Sequence, residues 1–116
     1  MLAGSAGFLL PALAIGAKGA IAALANIAPR ECLRLMELWQ EGKLEEARTL
    51  QARLIPANTA VTSGFGVAGL KAALELVARY GGVPRHPLAP LNEGERVRLR
   101  GILAEANLLH AMRPAR

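Results

Sequence analysis

Apolar and polar residues divide this chain into two kinds of pattern. From Pro29 onward, apolar side chains recur every three or four positions between charged ones. Before it, the chain is apolar almost without relief, and Lys18 is the one ionisable side chain in residues 1–28. Cys32, Leu35, Met36 and Trp39 form a helical stripe over Pro29–Glu41, with Pro29 suited to the first helical position and Gly42 to the stop. Leu44, Ala47, Leu50 and Leu54 form a second stripe, which Pro56 kinks or ends. Ser63-Gly64-Phe65-Gly66 is a break. Leu70, Ala73, Leu74 and Val77 form a third stripe, with Lys71–Glu75 and Glu75–Arg79 as i,i+4 charge pairs outside it. Residues 81–90 carry three prolines and read as an extended connector. Leu99, Ile102, Leu103 and Ala106 make the last stripe, and Arg113–Arg116 a frayed end.

The first 28 residues read differently. Met1-Leu2-Ala3 is the end of a strand, turned at Gly4-Ser5. Gly7–Ile15 is a short buried helix with Pro11 near its first turn, ended by Gly16, and Gly19–Leu24 is a buried strand. No basic residue precedes the apolar run Phe8–Ile15, so a secretory leader lacks its charged start. Gly16, Lys18 and Gly19 interrupt the roughly 20 apolar residues a membrane span needs. The order strand, helix, strand, helix is the repeating unit of a parallel sheet or a β/α barrel, whose strands are covered on both faces. One strand and a stub cannot close such a sheet, so the chain reads as part of something larger. The expected class is α/β, the C-terminal portion of a (β/α)8 barrel. Residues 1–42 would be the barrel's end and residues 43–116 a helical extension.

Composition narrows the chemistry. At 116 residues the chain is one domain in length, and 53% hydrophobic content excludes a disordered one. The net charge of +5 comes mostly from arginine, five of them between Arg96 and Arg116. Two Phe, one Tyr and one Trp make a poor stacking platform, so no nucleic-acid partner is expected. One cysteine excludes an internal disulfide framework or a multi-cysteine zinc site. The acidic residues are nine Glu with no Asp, and no carboxylate pair stands near a strand end. His86 and His110 lie far apart, and Cys32 sits on a helix's apolar stripe. Lys18 precedes its strand, whereas barrel chemistry sits at the C-terminal strand ends. That leaves Gly4, Ser5 and the run Ile21–Asn26 at the active face, suited to shaping a small-molecule site rather than to proton transfer.

Leu2-Ala3-Gly4-Ser5-Ala6-Gly7-Phe8-Leu9, Gly16-Ala17-Lys18-Gly19 and Ala23-Leu24-Ala25-Asn26 resemble the C-terminal part of the dihydrodipicolinate synthase/N-acetylneuraminate lyase family of class I aldolases. Glu46-Ala47, Leu50-Gln51, Arg53-Leu54-Ile55, Ala60-Val61-Thr62, Phe65-Gly66, Gly69-Leu70-Lys71, Tyr80-Gly81-Gly82 and Pro87-Leu88 continue the likeness in order. The 4-hydroxy-2-oxoglutarate aldolase branch is the nearest in pattern. The resemblance implies strand seven ending at residue 5, strand eight at Gly19–Leu24, and then the last barrel helix and the extension. It implies a lyase in which a lysine of strand six forms a Schiff base with pyruvate or another 2-oxo acid, aided by a tyrosine from an earlier strand. It implies no cofactor or metal, a homo-tetramer, no membrane partner and a cytoplasmic or mitochondrial setting. Neither the lysine nor the tyrosine has a counterpart in these residues. Met1 stands where the family has an aliphatic strand residue, as a truncated reading frame would give. By resemblance, Gly4 is the glycine whose backbone lies against the keto acid and Ser5 the variable next position. Ile21 is the aliphatic residue packed on the pyruvyl group, and no catalytic residue is assigned.

Overall fold

The computed structural model describes residues 1–77 and 79–109. The expectations for His110 and for Arg113–Arg116 lie outside the described residues. The chain divides into two compact units, Met1–Asn58 and Thr59–Arg116.

In the first unit, the segments around Ala3 and Ala20 run parallel. The Lys18 N–H donates to the Met1 carbonyl at 2.9 Å, Ala3 N–H to Gly19 O at 2.8 Å, and Ile21 N–H to Ala3 O at 2.9 Å. These bonds frame one parallel bridge, Ala3 to Ala20. The strand expected over Gly19–Leu24 is therefore much shorter, and Ala23–Asn26 coils into a 3-10 turn. The reason is the lack of a neighbour: past Ala3 the chain leaves the ladder at Gly4-Ser5 and enters a 3-10 turn at Ala6–Phe8. Backbone groups beyond Ile21 are then satisfied locally, through Ala25 N–H to Ala22 O and Ile27 N–H to Leu24 O.

The helix expected over Gly7–Ile15 splits into that turn and α1, Leu9–Ala14. Pro11 is its third residue, where no intrahelical donor is needed. Gly16 stops it with φ +107°, a conformation costly for any side chain. Helix α2, Pro29–Gln40, starts on Pro29 and carries Glu31 in its first turn, where a carboxylate favours the helix dipole. Its inward residues are Leu35 and Leu38, with Trp39 at the margin rather than on the stripe. Ala3, Leu9, Leu13, Leu35, Leu38 and Ala47 belong to one core.

Helix α3, Leu44–Thr59, runs three residues past Pro56. Pro56 has no N–H for the carbonyl of Ala52, and Ala52 is exposed. The inward face of α3 holds Ala47, Gln51, Leu54, Ala57 and Asn58. Leu44 is exposed and Leu50 half-buried, so the expected stripe is rotated toward two polar residues.

The second unit opens with a π-helical turn, Ala60–Gly64, closed by Phe65 N–H to Ala60 O at 2.9 Å. Helix α4, Gly66–Leu76, follows. Among the described residues, the charge pairs expected along α4 do not form. Lys71 Nζ donates instead to Gly81 O at 3.0 Å, and Glu75 accepts from Gly82 N–H at 3.2 Å. The connector folds back on α4, so its backbone groups take the partners the helix would have supplied. Helix α5, Glu93–Glu105, begins with a capping box between Asn92 and Glu95 and buries Leu99 and Leu103. Arg98 lies over the Phe65 ring, 5.3 Å from its centroid.

Candidate functional site

The parallel pair sorts its side chains by the alternation of an extended backbone. Ala3 is buried and Ala20 packs on the same core. The next residues along, Gly4 and Ile21, face the other way. Ile21 is 75% exposed, Leu2 on the same face 55%, and a Cβ built on Gly4 would meet nothing within 4 Å. Ile21 N–H bonds the carbonyl of Ala3, which precedes Gly4, so the two residues are neighbours at the C-terminal end of the ladder.

Ser5 follows at the turn. Its backbone is extended, with φ −157° and ψ 142°, and its side chain caps the 3-10 turn. Ser5 Oγ accepts from Gly7 N–H at 3.1 Å and from Asn58 Nδ2 at 3.0 Å. Asn58, on α3, is buried. Two helical turns earlier, buried Gln51 reaches the same corner. Gln51 Oε1 accepts from Leu10 N–H at 2.8 Å, and Nε2 donates to Ala6 O at 2.9 Å. Both residues were missed as site candidates. Their signal was available: Ala47, Gln51, Leu54 and Asn58 fall at i, i+4, i+7 and i+11, so two amides occupy core positions of a helix, and a buried amide needs partners.

The other candidates lie apart. Lys18 is exposed at the opposite, N-terminal end of its strand segment. Lys43 pairs with Glu41 at 3.5 Å, and Lys71 is held by Gly81 O. Asn26 Nδ2 closes its own turn on Ala23 O at 3.1 Å. His86 is exposed in the connector. Cys32 lines an apolar hollow of about 270 Å³ with Leu9, Ala20, Pro29 and Met36. Burial, and to a smaller degree the charge of Glu31, push the Cys32 thiol up from 9.0 to about 11. It stays protonated at neutral pH and is a poor nucleophile. Among the described residues no group of three His, Cys or Glu stands close enough to hold a metal ion. Among them, too, no helix is long and apolar enough to cross a membrane.

Two parallel extended segments joined by a helix and followed by a second helix are the repeating unit from which parallel α/β folds, among them the (β/α)8 barrel, are built. Comparison with known proteins decides between them. The model of the dihydrodipicolinate synthetase family matches residues 1–106. The chain is 38% identical over 109 residues to a 4-hydroxy-tetrahydrodipicolinate synthase of Gluconacetobacter diazotrophicus, covering 94% of this chain and 37% of that one. It is 43% identical over 91 residues to a probable mitochondrial 4-hydroxy-2-oxoglutarate aldolase of Emericella nidulans, covering 78% of this chain and 29% of that one. Among solved structures, YagE, an E. coli K12 prophage protein of the dihydrodipicolinic acid synthase family in complex with pyruvate, superposes with a TM-score of 0.79 at 30% identity. That match covers 92% of this chain and 37% of YagE.

The chain belongs to the dihydrodipicolinate synthetase family, and it spans 29% to 37% of the length of these relatives. Its fold is accordingly the C-terminal portion of the family's barrel with a helical extension, mostly helical as it stands.

Proposed function

We propose that this chain forms one wall of the active site of a pyruvate-dependent class I aldolase, a lyase that cleaves 4-hydroxy-2-oxoglutarate to pyruvate and glyoxylate. Gly4 offers bare backbone to the bound keto acid, Ile21 an apolar surface for its methyl or methylene carbons, and Ser5 a hydroxyl at the rim. The observation that carries this reading is the pairing of open Gly4 with exposed Ile21 at the C-terminal end of a parallel ladder. That is where barrel enzymes do their chemistry. The 43% identity to the Emericella nidulans aldolase supports the choice of substrate. The synthase relatives favour a second reading, a lyase acting on another 2-oxo acid.

In this mechanism an amine attacks the keto carbon, water leaves, and the iminium draws electrons from the breaking C–C bond. None of Lys18, Lys43 and Lys71 stands at the C-terminal end of a strand, so we assign the amine to another barrel strand. Residues 1–42 then serve as barrel wall and residues 43–116 as a helical extension. Borohydride reduction in the presence of pyruvate tests the assignment. The 116-residue chain alone is expected to gain no adduct. The chain joined to the upstream two-thirds of the Gluconacetobacter relative should gain one, on a lysine outside these 116 residues. An adduct on Lys18 overturns the reading. Turnover of that joined protein with glyoxylate, against other aldehydes, separates the two substrates.

A further inference from the structure

The open face of the ladder is built in two rows. The bridge sets Ala3 beside Ala20, which puts Leu2 level with Gly19 and Gly4 level with Ile21. Each row holds one large apolar residue and one glycine, and the large residues stand on opposite segments. The two glycines differ in cover. Leu2 leans across its row, so that a Cβ built on Gly19 would meet Leu2 Cδ2 at 3.6 Å, ordinary van der Waals contact. A Cβ built on Gly4 would meet nothing within 4 Å. The face therefore has a bare spot at Gly4, walled on one side by Ile21. Leu2 stands two residues back along the same segment, roughly 6–7 Å toward its N-terminal end. Leu2 is 55% and Ile21 75% exposed, so both present side-chain surface to this space.

Neither Leu2 nor Ile21 carries a hydrogen-bonding side chain, so a carboxylate against them would lose its water without replacement. The end of a 2-oxo acid that lies there is its carbon end. In a barrel the mouth is at the C-terminal end of the strands, and the group split off must leave through it. The breaking bond thus points away from Leu2, and a hydrogen of the carbon next to the keto group points toward it. We propose that Leu2 is the floor of the substrate site and a specificity-determining residue, which admits an unbranched carbon next to the keto group and rejects a branched one. The inference rests on the substrate site proposed above and adds its selectivity. Leu2 acts by volume, and one surplus methyl group in an apolar pocket lowers selectivity about 10- to 200-fold.

The test uses the joined protein described above, which supplies the amine from its own strand. Borohydride trapping is run with 2-oxobutanoate and with 3-methyl-2-oxobutanoate, whose second methyl group would meet the floor. Trapping rates at low acid concentration are compared. The unsubstituted joined protein should favour the unbranched acid by about tenfold or more. Leu2→Ala should narrow that preference by about tenfold, through faster trapping of the branched acid. Leu2→Val removes less volume and should narrow it by about threefold; it carries the test if Leu2→Ala does not fold. A leucine that only filled the barrel core would, when replaced, slow both acids alike and leave their ratio unchanged. An unchanged ratio in the folded variants, or no preference in the unsubstituted protein, overturns the inference alone. Absence of any adduct with pyruvate in the unsubstituted joined protein overturns the substrate-site reading and the inference with it.

Discussion

Helix α5 begins with two reciprocal hydrogen bonds three residues apart, Glu95 N–H to Asn92 Oδ1 at 2.8 Å and Asn92 N–H to Glu95 Oε1 at 2.9 Å. Helix α1 begins with a glutamine 41 positions away, Gln51, holding Leu10 N–H. Both satisfy donors that every helix start leaves unpaired. The local device is exposed and modular, and water replaces it when it is lost. The distant device is buried, and nothing replaces it. The difference shows where the first unit of this chain depends on a distant helix: the corner that carries Gly4 and Ser5 is held by α3, through Gln51 and Asn58.

The sharpest way to break that comparison is Gln51→Ala. It strands Leu10 N–H in the interior, while Ala6 O keeps the Leu9 N–H, and it should lower stability by about 1–3 kcal/mol, the cost of one buried unpaired donor. Urea unfolding checks this, and amide exchange at Leu10 should quicken most. Asn92→Ala is the matched change at α5. It should lower stability by about 1 kcal/mol, with faster exchange confined to the first turn of α5. If the two variants prove equal, the distinction between buried and exposed capping fails here. Arg34→Ala removes ion pairs to Glu37 at 3.3 Å and Glu41 at 3.8 Å, both between exposed side chains. A change within about 0.5 kcal/mol is expected in the same urea assay.

Cys32 sharpens the comparison along the pH axis. Its thiol titrates near 11 in the folded chain against 9.0 in an ordinary setting. Below pH 9 both states hold the proton and stability is unaffected. Between pH 9 and 11 the unfolded chain loses the proton while the folded one keeps it, so stability falls with rising pH. Urea midpoints at pH 8 and 10.5 should differ more for wild type than for Cys32→Ala. Iodoacetamide should label Cys32 of the native protein slowly at pH 8.

Much of this architecture was legible because its signals are local. Pro29 and Gly42 bound α2, Gly16 ends α1, and Leu99, Leu103 and Ala106 are buried as their spacing requires. Errors gather where a distant part of the chain competes. Lys71 and Glu75 turn to Gly81 and Gly82 rather than to helical neighbours, because the connector returns over α4. The second strand shrinks to residues around Ala20 because Gly4 and Ser5 leave the ladder early. Gly4, Ser5 and Ile21 are proposed for the site through family likeness, whereas Asn58, which holds Ser5, lies 53 positions away and offers only an amide on an apolar stripe.

That span of 53 residues also sets an order of events during synthesis. At about 5–20 residues per second, a ribosome extends the chain for roughly 3–10 seconds between adding Ser5 and adding Asn58. Until Gln51 is added, for most of that interval, the nascent corner has neither amide to fasten it, and the apolar Leu2, Phe8 and Ile15 around it are left to chaperones that grip greasy segments once they leave the ribosome.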